Sequence, residues 1–178
     1  MIDLDNYAIF SHNLSTLKET SVDSSIEGKH QYMTLSQRKA VNFDAVKNEY
    51  ISSLGLSETP KSNDALFYDG IDLVFVEFKN GRMSQEKIHA VGKKVYDSVL
   101  LYTDITSEKI SDMRKNMKYI LVYNEDVNQP SYDGFVKNIA DLANTEHVFF
   151  GLRKFQNYCF REVHTYTKCE FEEYLTNL

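Results

Sequence analysis

The run Leu73-Val74-Phe75-Val76 is apolar at every position. Successive residues of a strand point to opposite faces, so this strand needs cover on both sides. That requirement points to a layered α/β domain rather than a sheet with one wet face. The run ends in Glu77-Phe78-Lys79. Charges at the end of so buried a strand are costly unless they are paired or bind an ion.

A partner strand precedes it, Asp64-Ala65-Leu66-Phe67-Tyr68, and Asp69-Gly70 stands between the two. That dipeptide favours a two-residue type I′ turn, whose central positions both need φ > 0. Such a turn sets Tyr68 against Ile71, Leu66 against Leu73 and Asp64 against Phe75. By alternation Leu73, Phe75, Glu77 and Lys79 share one face, and Asp64 joins them. It would lie diagonal to Glu77, about 7–8 Å away between backbones. A one-residue slip would send Asp64 to the other face.

Helices are expected on either side of the hairpin. Phe43, Val46, Tyr50 and Leu54 recur at helical spacing and Gly55 follows as a terminator. After Asn80-Gly81, Ser84 is a candidate N-cap for a helix carrying Ile88, Val91, Val95, Val99 and Tyr102 on one stripe. Tyr119–Tyr123 reads as a further buried strand, and Phe135, Ile139 and Leu142 mark a third helix. His147–Phe150 and Tyr158–Val163 read as closing strands. Thr167 and Glu170 form a capping box for a last short helix. In the first forty residues only 30–35 looks weakly strand-like. The expected fold is a three-layer α/β/α domain with a mixed central sheet, spanning 1–178 as one domain, with 43–123 as its core and 1–35 as an extension that might widen the sheet, cover the site or bind a partner.

Asp64 and Glu77 are the hard oxygen donors that Mg²⁺ or Mn²⁺ prefers, and two carboxylates leave room on the ion for water and phosphate. Such an ion would polarise a phosphoryl oxygen and acidify an attacking water. Lys79 would position that water or stabilise charge developing on the phosphate. Glu49, on the preceding helix, is a candidate third acid.

Asn63-Asp64-Ala65 opening one strand and Val76-Glu77-Phe78-Lys79 closing the next, between two helices, resemble the PD-(D/E)XK nuclease superfamily. The resemblance covers roughly 43–123, with Asn63 where the name-giving proline would stand. It implies a restriction-endonuclease-like core, metal ligation by Asp64 and Glu77, assistance to hydrolysis by Lys79, and a contribution from an acid on the first helix, for which Glu49 is the candidate.

Each of these residues also has a plainer reading. Glu77 and Lys79 would make an ordinary charge pair at a strand edge, Asp64 a loop residue, and Glu49 a solvated helix acid. Arg82, Lys87, Lys93 and Lys94 could form a local basic patch on phosphates, or simply a wet helix face. Asp69 and Asp72 read as turn residues. Cys159, His164 and Cys169 lack the spacing of a zinc site.

A net charge of −6 argues against binding a polyanion through overall charge alone. A metal-dependent nuclease hydrolysing DNA is the leading expectation, with DNA favoured over RNA and a homodimer possible. Its rival is an inactive nuclease-like module that binds a protein, such as an immunity or regulatory partner. No apolar run reaches the roughly 20 residues that cross a bilayer. The acidic start does not resemble a signal peptide, and two cysteines suit a reducing cytoplasm.

Overall fold

The computed structural model describes residues 4–26, 29–128 and 147–178. The expected helix at Phe135, Ile139 and Leu142 lies outside the described residues. In chain order the elements are α1 (Ala8–His12), β1 (Leu14–Thr16), α2 (Leu17–Thr20), β2 (Val22–Ile26), β3 (Lys29–Tyr32), β4 (Lys39–Asn42) and α3 (Phe43–Ser53). There follow β5 (Ala65–Tyr68), β6 (Leu73–Lys79), α4 (Gln85–Thr106), α5 (Ile110–Asn116), β7 (Met117–Tyr123), β8 (Glu162–Thr167) and α6 (Lys168–Thr176).

Six strands form one mixed sheet in the order β1-β4-β5-β6-β7-β8. From β1 to β6 the neighbours are antiparallel, and β6, β7 and β8 run parallel. The fold is a three-layer α/β/α arrangement. On one face Leu73 and Phe75 of β6 pack with Phe10 of α1, Phe43 and Val46 of α3, and the Val91-Val95-Val99-Tyr102 stripe of α4. On the other, Val74, Val76 and Phe78 pack with Leu17 of α2 and with Phe171 and Leu175 of α6. The doubly covered strand expected from its composition is thus β6, an interior strand, fourth from the β1 edge and third from the β8 edge.

The helix boundaries follow local chemistry. Asn42 accepts a hydrogen bond from the Ala45 N–H and opens α3. Gly55, at φ +67°, closes it in a Schellman motif, its N–H donating to Ser52 and that of Leu56 to Ile51. Leu54 is exposed rather than part of the buried stripe. Ser84 caps α4, and the Thr167–Glu170 capping box opens α6.

Several expectations are corrected. The hairpin loop holds four residues, Asp69 to Asp72, not two: Tyr68 opposes Leu73 and Leu66 opposes Phe75. The cause is the Asp69 carboxylate, around which the chain wraps. One oxygen accepts the N–H groups of Ile71 and Asp72, at 2.8 and 2.7 Å. The other accepts from Lys118 Nζ at 2.8 Å and the Tyr174 hydroxyl at 2.7 Å. Residues 147–150 form no strand, because Phe150 and Gly151 both adopt left-handed φ and the Phe149 N–H goes to the Thr165 hydroxyl. The last strand begins at Glu162 rather than near Tyr158, since Asn157 turns the chain at φ +60° and Phe160 is drawn down onto Tyr119. The N-terminal segment 1–35 both widens the sheet, through β1 paired on β4, and adds the β2–β3 ribbon.

The Asp69 cluster has a measurable consequence. Burial alone would raise this carboxyl, but hydrogen bonds from the Asp72 N–H, Lys118, Tyr174 and the Ile71 N–H together hold it down to about 2. A carboxyl lowered on folding stabilises the native state above its unfolded pKa and loses that contribution as the pH falls toward its folded one. Asp69→Asn should therefore cost about 2 kcal/mol at pH 7 and flatten the loss of stability between about pH 4 and 2. Urea unfolding across that range would check it, and an unchanged acid limb would refute the assignment.

Candidate functional site

The face of β6 that buries Leu73 and Phe75 continues to Glu77 and Lys79, where the apolar cover of α4 gives way to an open groove. The paired register ends at Ala65–Val76, and just beyond it Asp64 comes beside Glu77, its N–H donating to the Val76 carbonyl at 3.1 Å. The expected pairing of Asp64 with Phe75 is not formed, since Leu66 takes that place. Because the register moved by two residues and side chains alternate with period two, Asp64 stays on the Glu77 face.

Asp64 is anchored by the Phe78 N–H, which donates to Oδ2 at 2.7 Å. Its Oδ1 lies 2.9 Å from Lys94 Nζ. The same ammonium is 2.8 Å from Glu77 Oε1 and 3.0 Å from Oε2. Lys79 contacts Glu77 Oε1 from the groove side. Four charged groups are thus gathered, with the Glu77 carboxylate wholly buried among them. Burial, reinforced by the Asp64 charge and opposed by Lys94 and Lys79, pushes the Glu77 carboxyl up to about 7. Lys94 moves upward, as its two carboxylate partners outweigh the cost of its own burial. The Tyr119 hydroxyl, buried on the same face, is raised well above the tyrosine range by burial and by the charges of Glu77 and Asp64.

The groove has a volume of about 530 Å³ and is walled by the end of β6, the N-terminus of α3, the first turns of α4 and the segment from α2 into β2. Asp64 and Lys79 line it, with Asp44, Lys87, Glu19 and Asp23. Its rim is tied by Asn80, whose amide donates to Asp23 at 3.0 Å and to Gln31 at 2.7 Å. On the other side its carbonyl accepts from Asn124 at 2.9 Å. The ribbon β2–β3 therefore borders the site, which gives the N-terminal segment a place in it.

Glu49 is not brought to this cluster. Its carboxylate accepts from Asn13 at 2.7 Å and pairs with His12 at 3.3 Å on the outer side of α3. The hydrogen bonds of Asn13 and His12 lower it from the usual carboxylate value. The reason is geometric. The N-terminus of α3 is held to Asp64 by the Phe43 N–H, at 3.1 Å. Five residues later than Asp44, Glu49 stands about 7.5 Å further along the axis and about 140° around it. The α3 acid that lines the groove is Asp44, which also accepts from the Ser62 hydroxyl. Its signal in the sequence was its place in the first turn, next to the strand that carries Asp64.

The four basic residues separate. Lys87 lines the groove, and its ammonium lies over Gly81. Arg82 is exposed at the approach to α4. Lys93 faces a different depression, shared with His89, Tyr96 and Lys154, since neighbouring helix residues are about 100° apart. Lys94 turns inward instead of meeting solvent, with its side chain 18% exposed. Its role between the carboxylates was not evident from its spacing along α4.

The groove and its inner wall carry five carboxylates, Glu19, Asp23, Asp44, Asp64 and Glu77, against three ammonium groups, Lys79, Lys87 and Lys94. A phosphodiester entering such a site needs added positive charge. Among the described residues no group of three or more His, Cys, Asp or Glu side chains is disposed to hold a metal. Asp64 and Glu77 make a pair. Comparison with protein-family models, curated proteins and solved structures finds no match. Among the described residues, no helix is long and apolar enough to cross a membrane.

Proposed function

We propose that this chain is a divalent-metal-dependent nuclease of the PD-(D/E)XK type that hydrolyses DNA phosphodiester bonds. One observation carries the reading: Asp64, just before β5, and Glu77 of β6 converge on a single cation, both within 3.0 Å of the Lys94 ammonium, with Lys79 beside them at an open groove.

The donor set fits the ion. Two carboxylates converging on one point are the oxygen ligands that Mg²⁺ or Mn²⁺ takes, and the remaining positions fall to water and phosphate. When bound, the ion supplies Lewis acidity to the phosphoryl oxygen and to the attacking water. The residues of the chain do the rest. Asp64 is held rigid by the Phe78 N–H on Oδ2, so Oδ1, the oxygen that meets Lys94, keeps one direction. Lys79, steadied by Glu77, directs its ammonium to the groove and stabilises negative charge developing on the phosphate. Lys87 gives a second contact for the backbone of the substrate. Two unpaired cysteines, one buried and one exposed, suit a reducing compartment such as the cytoplasm.

The test is Mn²⁺ calorimetry on the full chain and on an Asp64→Ala/Glu77→Ala variant, followed by a cleavage screen on duplex and single-stranded DNA. Binding and cleavage should both vanish in the double variant. Equal binding in the two proteins would refute the metal site.

The position of Lys94 favours a second reading. A protein that had lost catalysis could keep its carboxylate pair neutralised by this internal lysine and use the fold to bind another protein.

A further inference from the structure

We propose that Lys94 is the displaceable counter-ion of the Asp64–Glu77 pair: its ammonium holds the two carboxylates together until a divalent cation takes its place, and the released side chain then becomes a phosphate contact in the groove. This inference rests on the metal-dependent reading of the site.

The first argument is occupancy. Lys94 Nζ lies 2.9 Å from Asp64 and 2.8 and 3.0 Å from the two oxygens of Glu77. An ion bridging the same two carboxylates at Mg²⁺ distances of about 2.0–2.1 Å would fall on the position of that nitrogen. The ion and the ammonium cannot share it. A small closing of two side chains is all that the exchange asks of the carboxylates.

Charge gives the second argument. With Lys79 and Lys94 both in place, the two carboxylates are already balanced by two ammonium groups. Adding a divalent ion without moving either lysine would set four positive charges against two negative ones within a few ångströms, in a site where Glu77 is wholly buried. One lysine has to leave. Lys79 pairs with Glu77 from the groove side, whereas Lys94 bridges the two carboxylates.

The third argument is the exit. Lys87 and Ala90 of α4 line the groove, and Lys94 follows them by seven and four residues on the same side of the helix. Rotation of a flexible four-carbon stem toward these neighbours carries the ammonium from between the carboxylates into the groove. There it meets phosphate oxygens, so metal and substrate are both served by the same movement.

Mn²⁺ calorimetry on the full-length Lys94→Met variant tests the exchange. Removing the competitor should tighten Mn²⁺ binding about tenfold, and adding Asp64→Ala and Glu77→Ala to the variant should abolish it. A gain of less than about threefold, or weaker binding, overturns the proposal while leaving the nuclease reading intact if the unaltered chain still binds through Asp64 and Glu77. Binding by Lys94→Met but not by the unaltered chain shows that Lys94 locks the natural site and is not displaced, which overturns the exchange and ends the nuclease reading. Binding by neither overturns both. Circular dichroism establishes that the variant folds. If it does not, acetic anhydride labelling of the unaltered protein decides: Lys94 should label several-fold faster with saturating Mg²⁺, and no increase overturns the proposal.

Discussion

Lys79→Met should lower metal-dependent DNA cleavage by about 10²–10³-fold while leaving Mn²⁺ binding close to that of the unaltered chain. The split follows from the geometry. Among the described residues Lys79 pairs with Glu77 and lies on the groove side of it, so it is not between the carboxylates that would hold the ion. Its ammonium is placed to act on charge that develops as the phosphate reacts, and a fixed charge of that kind counts most in the transition state. The loss should thus fall on kcat, with KM little changed. Glu49→Gln, removing a carboxylate committed to Asn13 and His12 on the outside of α3, should leave cleavage as it is. Parallel loss of Mn²⁺ binding and cleavage in Lys79→Met would show instead that Lys79 only supports the carboxylate pair.

Phe75→Ala should destabilise the protein by about 3–5 kcal/mol, a large share of the 5–15 kcal/mol typical of a domain. Phe75 is fully buried at the centre of an aromatic cluster. Its ring meets Phe43 edge-on at 4.8 Å between centroids, Tyr102 at 5.9 Å and Phe160 at 6.3 Å. It therefore joins α3, α4 and the turn before β8 to the sheet, and no single neighbour can collapse into the space without leaving another. Phe75 also lies two residues before Glu77 on the same face. The lost packing should loosen the carboxylate pair as well as the fold. Urea unfolding at neutral pH gives the first effect, and a cost below about 1 kcal/mol would mean that the cluster repacks freely.

How far the site could be read from residues alone depended on the kind of regularity each residue obeyed. Alternation puts Asp64, Glu77 and Lys79 on one face whether the turn holds two residues or four, because a slip of two leaves the faces of a strand unchanged. The stops at Gly55, Ser84 and the Thr167–Glu170 box were equally legible, since each acts within a few residues of its own position. Glu49 and Lys94 were misjudged for one shared reason. Periodicity says which residues of a helix lie together, but the rotation of that helix about its axis is set by what it packs on. Asp69 deceived in another way, as its partners Lys118 and Tyr174 lie 49 and 105 residues away.

Local patterning dictates that β6 is covered on both faces, that helices flank the hairpin, and that two carboxylates and a lysine share one face at its end. Those properties follow from alternation, capping and the cost of exposing apolar surface, all of which are local. Long-range packing brings Asp44 rather than Glu49 to the groove, sets the N-terminal ribbon along its border, and stands Lys94 between the carboxylates. These depend on how α3, α4 and the β2–β3 ribbon are set against the sheet, and that is settled by side chains distant in sequence packing together.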